Sequence, residues 1–316
     1  MSLFPPEASH SISLLGLKAL SYLYFKEPTP VISDKIKILG FNFSNRVGLA
    51  SGMDKNADYI DSLSHLGFGF LELGTVTPRA QAGNAKPRLF RLTEKRSLLN
   101  NMGFNNKGVE HAVLRIQKNK SKAIIGLSIG KNYDTPLEKA IEDYLFCFER
   151  AYPVSDYIAV NISSPNTKDL RQLESEKYFS SLITSLKKKQ ESYSKSLGYK
   201  PIILKLSPDL EESNLEYICK EILDKDIDGI ICSNTTVSHK YPQGGGLSGE
   251  ELFEFSNKSL ISFRSFLGSS FPIIASGGVM SRSHYKKKLE LGADLVQVYT
   301  GMIYKGPILI SEILRS

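Results

Sequence analysis

The sequence predicts an α/β protein built as a (β/α)₈ TIM barrel with a small N-terminal helical extension. From residue 45 onward, short apolar segments rich in β-branched residues alternate with longer segments of helical periodicity, the pattern of βαβ units around a parallel sheet. Eight such units can be counted, and every strand ends in small or polar residues, as expected where barrel strands carry an active site. A doubly wound sheet is the competing fold, but no GxGxxG turn follows any of these strands.

The eight predicted strands divide the chain into two parts. They are residues 45–52 (NRVGLASG), 70–77 (FLELGTVT), 123–131 (AIIGLSIGK), 156–163 (DYIAVNIS), 201–207 (PIILKLS), 229–235 (GIICSNT), 272–278 (PIIASGG) and 295–301 (LVQVYTG). We therefore assign residues 41–316 to the barrel and residues 1–40 to the N-terminal extension.

The N-terminal extension carries a concentrated apolar face. It consists of Ile12, Leu14, Leu15, Leu17, Leu20, Tyr22, Leu23 and Phe25, which precede Pro28 and Pro30. Two interpretations are open from the pattern alone: a helix that packs on the barrel, or an amphipathic helix that offers its apolar face to a membrane or a hydrophobic substrate. No stretch approaches the ~20 apolar residues that span a bilayer, and the N-terminus has no signal-peptide pattern, so we expect no membrane crossing.

Charge and cysteine content narrow the class of function. The chain has 40 Lys and Arg against 33 Asp and Glu, a net charge of +7, which suits anionic small molecules, an anionic membrane or only a solvated surface. The lysine runs at 187–189 and 286–288 lack interleaved aromatic residues, so we expect no nucleic-acid binding. The three cysteines show no CxxC pairing, so no metal site is predicted, and Cys232 is interpreted as a core residue.

Polar residues cluster at the predicted barrel mouth in a density that packing does not require. They occupy residues 50–56 (ASGMDKN), 100–106 (NNMGFNN), 161–167 (NISSPNT) and 233–236 (SNTT). Asparagine amides supply both donors and acceptors, so such a cluster suits a planar ligand with alternating C=O and N–H groups, as on a pyrimidine ring. The alternative is that each asparagine serves only its own turn or cap.

Glycines and lysines complete the predicted mouth. The glycines of residues 276–278 (SGG) and 299–301 (YTG) end the last two strands, where barrels commonly bind a phosphate, although glycines there also serve tight turns. Lys55 and Lys205 end the first and fifth strands, where a lysine must be desolvated or paired. They are predicted to bind anions: a substrate carboxylate and the negative charge of a reduced flavin ring. The alternative is that both are surface lysines beyond the strand ends.

Together these segments resemble the dihydroorotate dehydrogenases, specifically class 2, which is quinone-dependent and membrane-associated. The resemblance covers nearly the whole chain. The matching motifs are GLASGMDKN (48–56), GTVTPRAQAGNAKPRLFRL (74–92), NNMGFNN (100–106), NISSPNTKDLR (161–171), SNTT (233–236), GGLSG (245–249) and YTGMIYKGP (299–307). Ser164 marks the class, because class 1 enzymes have a cysteine at this position.

The resemblance assigns roles to individual residues. It implies that Ser164 is the catalytic base, with Thr167 and Phe104 helping its proton transfer. It implies that dihydroorotate or orotate is bound by Lys55, Asn100, Asn101, Met102, Gly103, Phe104, Asn161, Asn166, Asn234 and Thr235. It implies that FMN is bound by Ala50, Ser51, Gly52, Met53, Asp54, Thr75, Ser128, Asn161, Lys205, Ser233, Gly249, Gly278, Tyr299 and Thr300.

The same resemblance implies a complete reaction. Dihydroorotate would be oxidised to orotate with FMN as the hydride acceptor and a membrane quinone as the final electron acceptor, in de novo pyrimidine (UMP) synthesis. It favours membrane contact and quinone access as the role of the N-terminal extension, with peripheral attachment at the cytoplasmic face. Two positions depart from the family: Ser128 replaces an asparagine that contacts the flavin, and Ser233 replaces a threonine.

Three alternative functions remain at this point. The first is a class 1-like enzyme that uses fumarate or NAD, which Ser164 and the N-terminal extension disfavour. The second is another flavin barrel acting on pyrimidines, such as a dihydrouridine synthase, for which neither a catalytic cysteine nor an RNA-binding domain is evident. The third is a non-catalytic flavin barrel, which the joint presence of Lys55, Ser164 and Lys205 disfavours.

Overall fold

Eight parallel strands close into a barrel in the computed structural model, which describes residues 4–24 and 34–315. The described residues form the barrel strands and the strands of two smaller sheets, numbered together as β1 (Ile36–Ile38), β2 (Phe41–Phe43), β3 (Val47–Leu49), β4 (Phe70–Val76), β5 (Leu89–Leu92), β6 (Ser97–Asn100), β7 (Ile124–Ile129), β8 (Tyr157–Asn161), β9 (Ile202–Leu206), β10 (Gly229–Cys232), β11 (Gly246–Gly249), β12 (Ile273–Ala275) and β13 (Leu295–Val298). Around the barrel the order is β3-β4-β7-β8-β9-β10-β12-β13, and β13 pairs with β3. The predicted barrel is confirmed.

Helices surround the barrel and bury one face each against it. They are α1 (Pro6–Tyr24), α2 (Ile60–Ser64), α3 (Val109–Lys118), α4 (Ala140–Ala151), α5 (Glu176–Leu197), α6 (Glu212–Asp224), α7 (Phe253–Leu267), α8 (Arg282–Glu290), α9 (Thr300–Lys305) and α10 (Ile308–Leu314). In α6, for example, Leu215, Ile218, Cys219 and Ile222 are buried. This i, i+3, i+4, i+7 spacing places all four side chains on one side of the helix.

Large aromatic side chains fill the barrel interior near the start of its strands. Phe70 and Tyr157 each occupy space that a glycine on a neighbouring strand leaves open. A Cβ atom on Gly48 would lie 2.1 Å from the Phe70 ring, and one on Gly126 would lie 2.0 Å from the Tyr157 ring. The hairpin of β1 and β2 closes this end, since Phe43 meets Phe70 edge to face with centroids 5.5 Å apart. The predicted division at residue 40 falls inside this hairpin.

A small antiparallel sheet, which the sequence did not predict, stands beside the other end of the barrel. β6 pairs with β5 on one side and with β11 on the other. Gly246 of β11 pairs with Asn100 of β6, although the two residues lie far apart in the chain. This sheet forms one wall of the cavity at the barrel mouth.

Helix α1 packs one side on the protein and leaves another side open. Leu14 is buried in the main core, and Leu17 packs against that core. Ile12, Leu15 and Leu20 are 52%, 58% and 50% exposed, so the predicted apolar face is partly available for contact. The side chains of Tyr22, Leu23 and Phe25 lie outside the described residues. Across residues 4–24 and 34–315, every helix is too short or too polar to span a membrane.

Candidate active site

A cavity opens where the carboxyl ends of the barrel strands meet the antiparallel sheet. Its empty space, including the open mouth, is about 1100 Å³. The predicted site residues that line it are Ala50, Ser51, Gly52, Lys55, Thr75, Asn100, Met102, Gly103, Phe104, Asn161, Ser164, Asn166, Lys205, Ser233, Asn234, Thr235, Gly249, Gly278, Tyr299 and Thr300. Segments that are distant in sequence therefore converge on one concave surface, as expected for a ligand site in a barrel.

The remaining predicted residues lie behind the cavity wall; they are Met53, Asp54, Asn101 and Ser128. The Asp54 carboxylate accepts hydrogen bonds from the backbone N–H groups of Asp58 at 2.9 Å and Tyr59 at 2.7 Å. Burial raises the pKa of Asp54 above its ordinary value. Asn101 accepts a bond from Asn84 Nδ2 at 2.7 Å. These contacts shape the loops that carry the lining residues.

Amide and hydroxyl groups on or just after β4, β7, β8 and β10 form one connected network under the cavity. Asn161 Nδ2 donates to Thr75 Oγ1 at 2.9 Å, and this hydroxyl also lies 2.9 Å from Ser128 Oγ. Asn234 Nδ2 donates to Ser163 Oγ at 3.0 Å and to Asn161 Oδ1 at 3.3 Å. Ser128 is fully buried, so in this arrangement it supports Thr75 from behind. The network fixes the orientation of the two asparagines that line the cavity.

Ser164 lies on a loop that presents unpaired polar atoms. Its Oγ accepts a 3.3 Å bond from the Asn166 backbone N–H. Asn166 Nδ2 donates to Asn100 Oδ1 at 2.7 Å, while Asn166 Oδ1 is buried with no hydrogen-bond partner among residues 4–24 and 34–315. Thr167 Oγ1 is likewise buried and has no partner in the part of the chain that the structure describes. Buried polar atoms are normally satisfied, so these atoms favour a polar ligand beside Ser164.

Arg171, which was not predicted as a site residue, holds this loop in place through hydrogen bonds. Its Nε donates to the Ser163 carbonyl at 3.0 Å, and its Nη2 donates to the Thr235 carbonyl at 2.8 Å. Its Nη1 lies 2.6 Å from Asp209 Oδ2. One guanidinium thus ties the Ser164 loop to the Asn234 loop. Its position inside the NISSPNTKDLR motif was the available signal.

Lys55 lies at the side of the cavity that faces helix α1. Its Nζ donates to the Gly52 carbonyl at 2.8 Å, and burial lowers the pKa of Lys55 to about 8. His10 of α1 lies nearby, and burial together with the charge of Lys55 lowers the pKa of His10 to about 4. The α1 residue Glu7 forms an ion pair with Arg88 at 2.6 Å, which fastens α1 to the residue that precedes β5. A neutral His10 and the buried ammonium group of Lys55 therefore lie where α1 approaches the cavity.

Lys205 reaches the cavity from within the barrel. Its Nζ lies 3.0 Å from Ser51 Oγ and 3.4 Å from Oε1 of Glu72. Glu72 is fully buried and was not predicted, because it lies within an apolar strand. A buried carboxylate beside the lysine offsets the cost of burying the ammonium group.

Glycines in the turn after β12 line another part of the cavity. Gly277 and Gly278 have φ angles of 108° and 75°, which favour glycine. A Cβ atom on Gly278 would lie 2.4 Å from the Phe253 backbone, so the turn packs too closely for a side chain. Ser248 Oγ lies 2.9 Å from Thr300 Oγ1 on the facing wall. A backbone-lined end with hydroxyls suits a phosphate group.

The structure supports the core interpretation of Cys232. The thiol is fully buried and lies 3.3 Å from Ser259 Oγ, and burial raises its pKa to about 11. A thiol with a raised pKa is a poor nucleophile. Within the described part of the chain, no group of three or more His, Cys, Asp or Glu side chains could hold a metal ion.

Comparison with known proteins identifies relatives along nearly the whole chain. The family model described as "Dihydroorotate dehydrogenase" matches residues 33–316. "Dihydroorotate dehydrogenase (quinone)" from Azoarcus sp. (strain BH72) is 45% identical over 318 residues, which cover 98% of this chain and 94% of that protein. The protein of the same name from Buchnera aphidicola subsp. Schizaphis graminum (strain Sg) is 46% identical over 326 residues, which cover 99% and 96%.

Solved structures show the same relationship. The crystal structure of DHODH in complex with ferulenol from Eimeria tenella matches with a TM-score of 0.89 and 32% identity, and the match covers 98% of this chain and 90% of that chain. The ligand-free structure from the same organism gives a TM-score of 0.87 and 33% identity, with 98% and 93% covered. The chain therefore belongs to the dihydroorotate dehydrogenase family, in the quinone-dependent class predicted from its sequence.

Proposed function

We propose that this oxidoreductase converts dihydroorotate to orotate, with FMN as the hydride acceptor and a membrane quinone as the final electron acceptor, in de novo UMP synthesis. One observation carries the proposal. The cavity brings Ser164, a set of asparagine amides, two lysines and a glycine-lined end onto one surface. These are the groups needed for a base, a pyrimidine edge, two anionic charges and a phosphate.

The cavity fits FMN at both ends. Gly249, Gly277, Gly278 and Thr300 would hold the phosphate at the backbone-lined end. Lys205 would hold the polar end of the flavin ring, since its ammonium group lies at the cavity floor. These residues would hold FMN, which would supply the hydride-accepting chemistry for oxidation at C6 of the substrate.

The substrate side of the cavity is built for an anionic pyrimidine. Lys55 would bind the carboxylate of dihydroorotate, a direct anionic partner that would offset the burial of its ammonium group. Asn100, Asn166 and Asn234 line the cavity. Asn166 is held by its bond to Asn100, and Asn234 is held by the network under the cavity, so these amides have defined orientations. These amides would pair with the C=O and N–H groups along the edge of the ring.

Ser164 would remove the proton from C5 of the substrate. A serine hydroxyl is a poor base at its ordinary pKa, so it needs a low-water site and a route for the proton. Ser164 is 6% exposed, and the neighbouring Thr167 has a buried hydroxyl to which no described residue forms a hydrogen bond. We assign Thr167 to the proton route, with Phe104 closing the cavity over the reacting atoms.

Helix α1 would give the quinone its access. The exposed side chains of Ile12, Leu15 and Leu20 suit contact with the lipid surface, at the cytoplasmic face of a membrane. The inner side of the helix carries His10 toward Lys55, and its Glu7 is tied to Arg88. A lipid-soluble quinone could thus approach the cavity between α1 and β5 without entering water.

A panel of electron acceptors tests this proposal. The purified protein, reconstituted with FMN, is given dihydroorotate with a quinone analogue, fumarate or NAD in separate assays. We expect orotate formation with the quinone and little with the other two acceptors. Turnover only with fumarate or NAD would overturn the quinone assignment, and a protein that binds no flavin would overturn the whole proposal.

A further inference from the structure

The carboxylate of Glu72 organises the centre of the barrel. Its Oε2 accepts hydrogen bonds from Gln297 Nε2 at 2.7 Å and from the Tyr157 hydroxyl at 3.3 Å. Its Oε1 lies 3.4 Å from Lys205 Nζ. Glu72, Lys205 and Gln297 lie on β4, β9 and β13, which are not neighbours in the barrel, so their side chains meet near its axis.

These contacts fix which way the Gln297 amide faces. Its NH₂ group donates to the carboxylate, so its carbonyl oxygen must face away from Glu72. The opposite orientation would set the carbonyl oxygen against a carboxylate, which accepts hydrogen bonds only. Gln297 is 1% exposed, and its Oε1 is buried with no hydrogen-bond partner in the described residues. Gln297 also lines the active-site cavity.

The cavity therefore presents one hydrogen-bond donor and one hydrogen-bond acceptor, and the same Glu72 carboxylate holds both in place. Lys205 supplies the donor and Gln297 supplies the acceptor, and both are bound to Glu72. The complementary ligand is a heterocycle that carries a carbonyl group next to an N–H group. In the ring system of an oxidised flavin, N3 is the nitrogen that carries hydrogen, and it lies between two carbonyl groups.

We propose that Gln297 is a flavin-binding residue whose carbonyl oxygen accepts a hydrogen bond from N3–H of the bound FMN. This inference rests on the proposed function, because it requires FMN in the cavity. Glu72 acts as a positioning residue that aims the amide. A buried acceptor without a partner is unfavourable, so the bond also explains how the Gln297 oxygen is satisfied in the complete enzyme.

The test compares FMN with 3-methyl-FMN, in which a methyl group replaces the N3 hydrogen. Binding of each flavin to the flavin-free protein is measured by the quenching of flavin fluorescence. We expect the wild-type protein to bind 3-methyl-FMN about tenfold more weakly than FMN, the effect of losing one hydrogen bond. In Gln297→Leu, FMN should bind more weakly and the difference between the two flavins should nearly vanish.

Tyr157→Phe is the matched control. It also removes one hydrogen bond to Glu72, but Tyr157 does not line the cavity, so the preference for FMN should persist. A second measurement follows the N3–H proton of ¹⁵N-labelled FMN by NMR. Its resonance should lie downfield of that in free FMN, should move upfield in Gln297→Leu and should stay in place in Tyr157→Phe.

The outcomes separate this inference from the proposed function. Equal binding of both flavins by the wild-type protein would overturn the role of Gln297 while leaving FMN as the cofactor. An unchanged N3–H resonance in Gln297→Leu would overturn it too. Failure of the wild-type protein to bind FMN at all would overturn the cofactor assignment, and the inference with it.

Discussion

Lys55 should make the binding of orotate depend on pH. Burial lowers the pKa of this lysine from the ordinary value of 10.5 to about 8. Only the ammonium form attracts a carboxylate, so the protein without substrate loses its binding-competent form as the pH rises through 8. The protonated fraction falls about tenfold between pH 7 and pH 9, and the Kd for orotate should rise about tenfold over the same interval.

The assay is a titration of the FMN-loaded enzyme with orotate at pH 7, 8 and 9, followed by the change in the flavin spectrum. The value of kcat/KM for dihydroorotate should fall in parallel, because it reports protonation of the free enzyme. Lys55→Met should bind orotate weakly at every pH, with no slope. Lys131 is also buried, but its Nζ bonds to the Asn132 and Thr135 carbonyls away from the cavity, so Lys131→Met should keep the slope. A constant Kd for the wild-type enzyme would refute the reasoning.

Three further predictions test the base, the extension and the packing. Ser164→Ala should slow flavin reduction by dihydroorotate ~100-fold or more and leave the orotate Kd nearly unchanged, as stopped-flow and binding measurements would check; normal reduction kinetics would exclude Ser164 as the base. Deleting residues 1–26 should preserve flavin reduction but suppress reoxidation by a long-chain quinone, with a soluble artificial oxidant as the control; unchanged quinone turnover would argue against the role of α1. Gly126→Ala should lower the free energy of unfolding by about 1–3 kcal/mol in denaturant, because its Cβ would lie 2.0 Å from the Tyr157 ring. Gly16→Ala is the matched control, because a Cβ at Gly16 meets open space. Equal free energies of unfolding for the two variants would contradict the packing argument.

All eight barrel strands could be predicted because each combines an apolar body with a small or polar end. Their ends were less predictable. The first strand was expected over residues 45–52, but the structure has it at Val47–Leu49. Residues 50–52 (ASG), which follow Leu49, were predicted to continue the strand. In the structure they form a loop that lines the cavity. The pattern therefore gives the order and position of barrel strands better than their length.

The antiparallel sheet could not be predicted from local pattern. β11 has only four residues, two of them glycine, and it pairs with β6, far earlier in the chain. Glycine is uncommon within strands, and the pairing depends on the barrel bringing the two segments together. This sheet supplies cavity residues such as Asn100 and Gly249, which the family resemblance identified although their secondary structure was not predicted.

The cluster around Glu72 at the centre of the barrel could not be predicted from sequence for a related reason. Glu72 lies in the apolar strand FLELGTV, and its burial is tolerated because Lys205, Gln297 and Tyr157 reach it from other strands. Such a cluster exists only after the barrel closes, so a single strand gives no sign of it. Residues at strand ends were easier to predict, because their positions alone place them at the cavity.

An anaerobic spectrum of the FMN-loaded protein tests the central claim most directly. Dihydroorotate is added first, and a soluble quinone analogue is added after the spectrum has settled. The flavin absorbance should bleach with dihydroorotate and return with the quinone, which would establish substrate, cofactor and electron acceptor in one experiment. An intact flavoprotein that dihydroorotate does not bleach would contradict the proposed reaction.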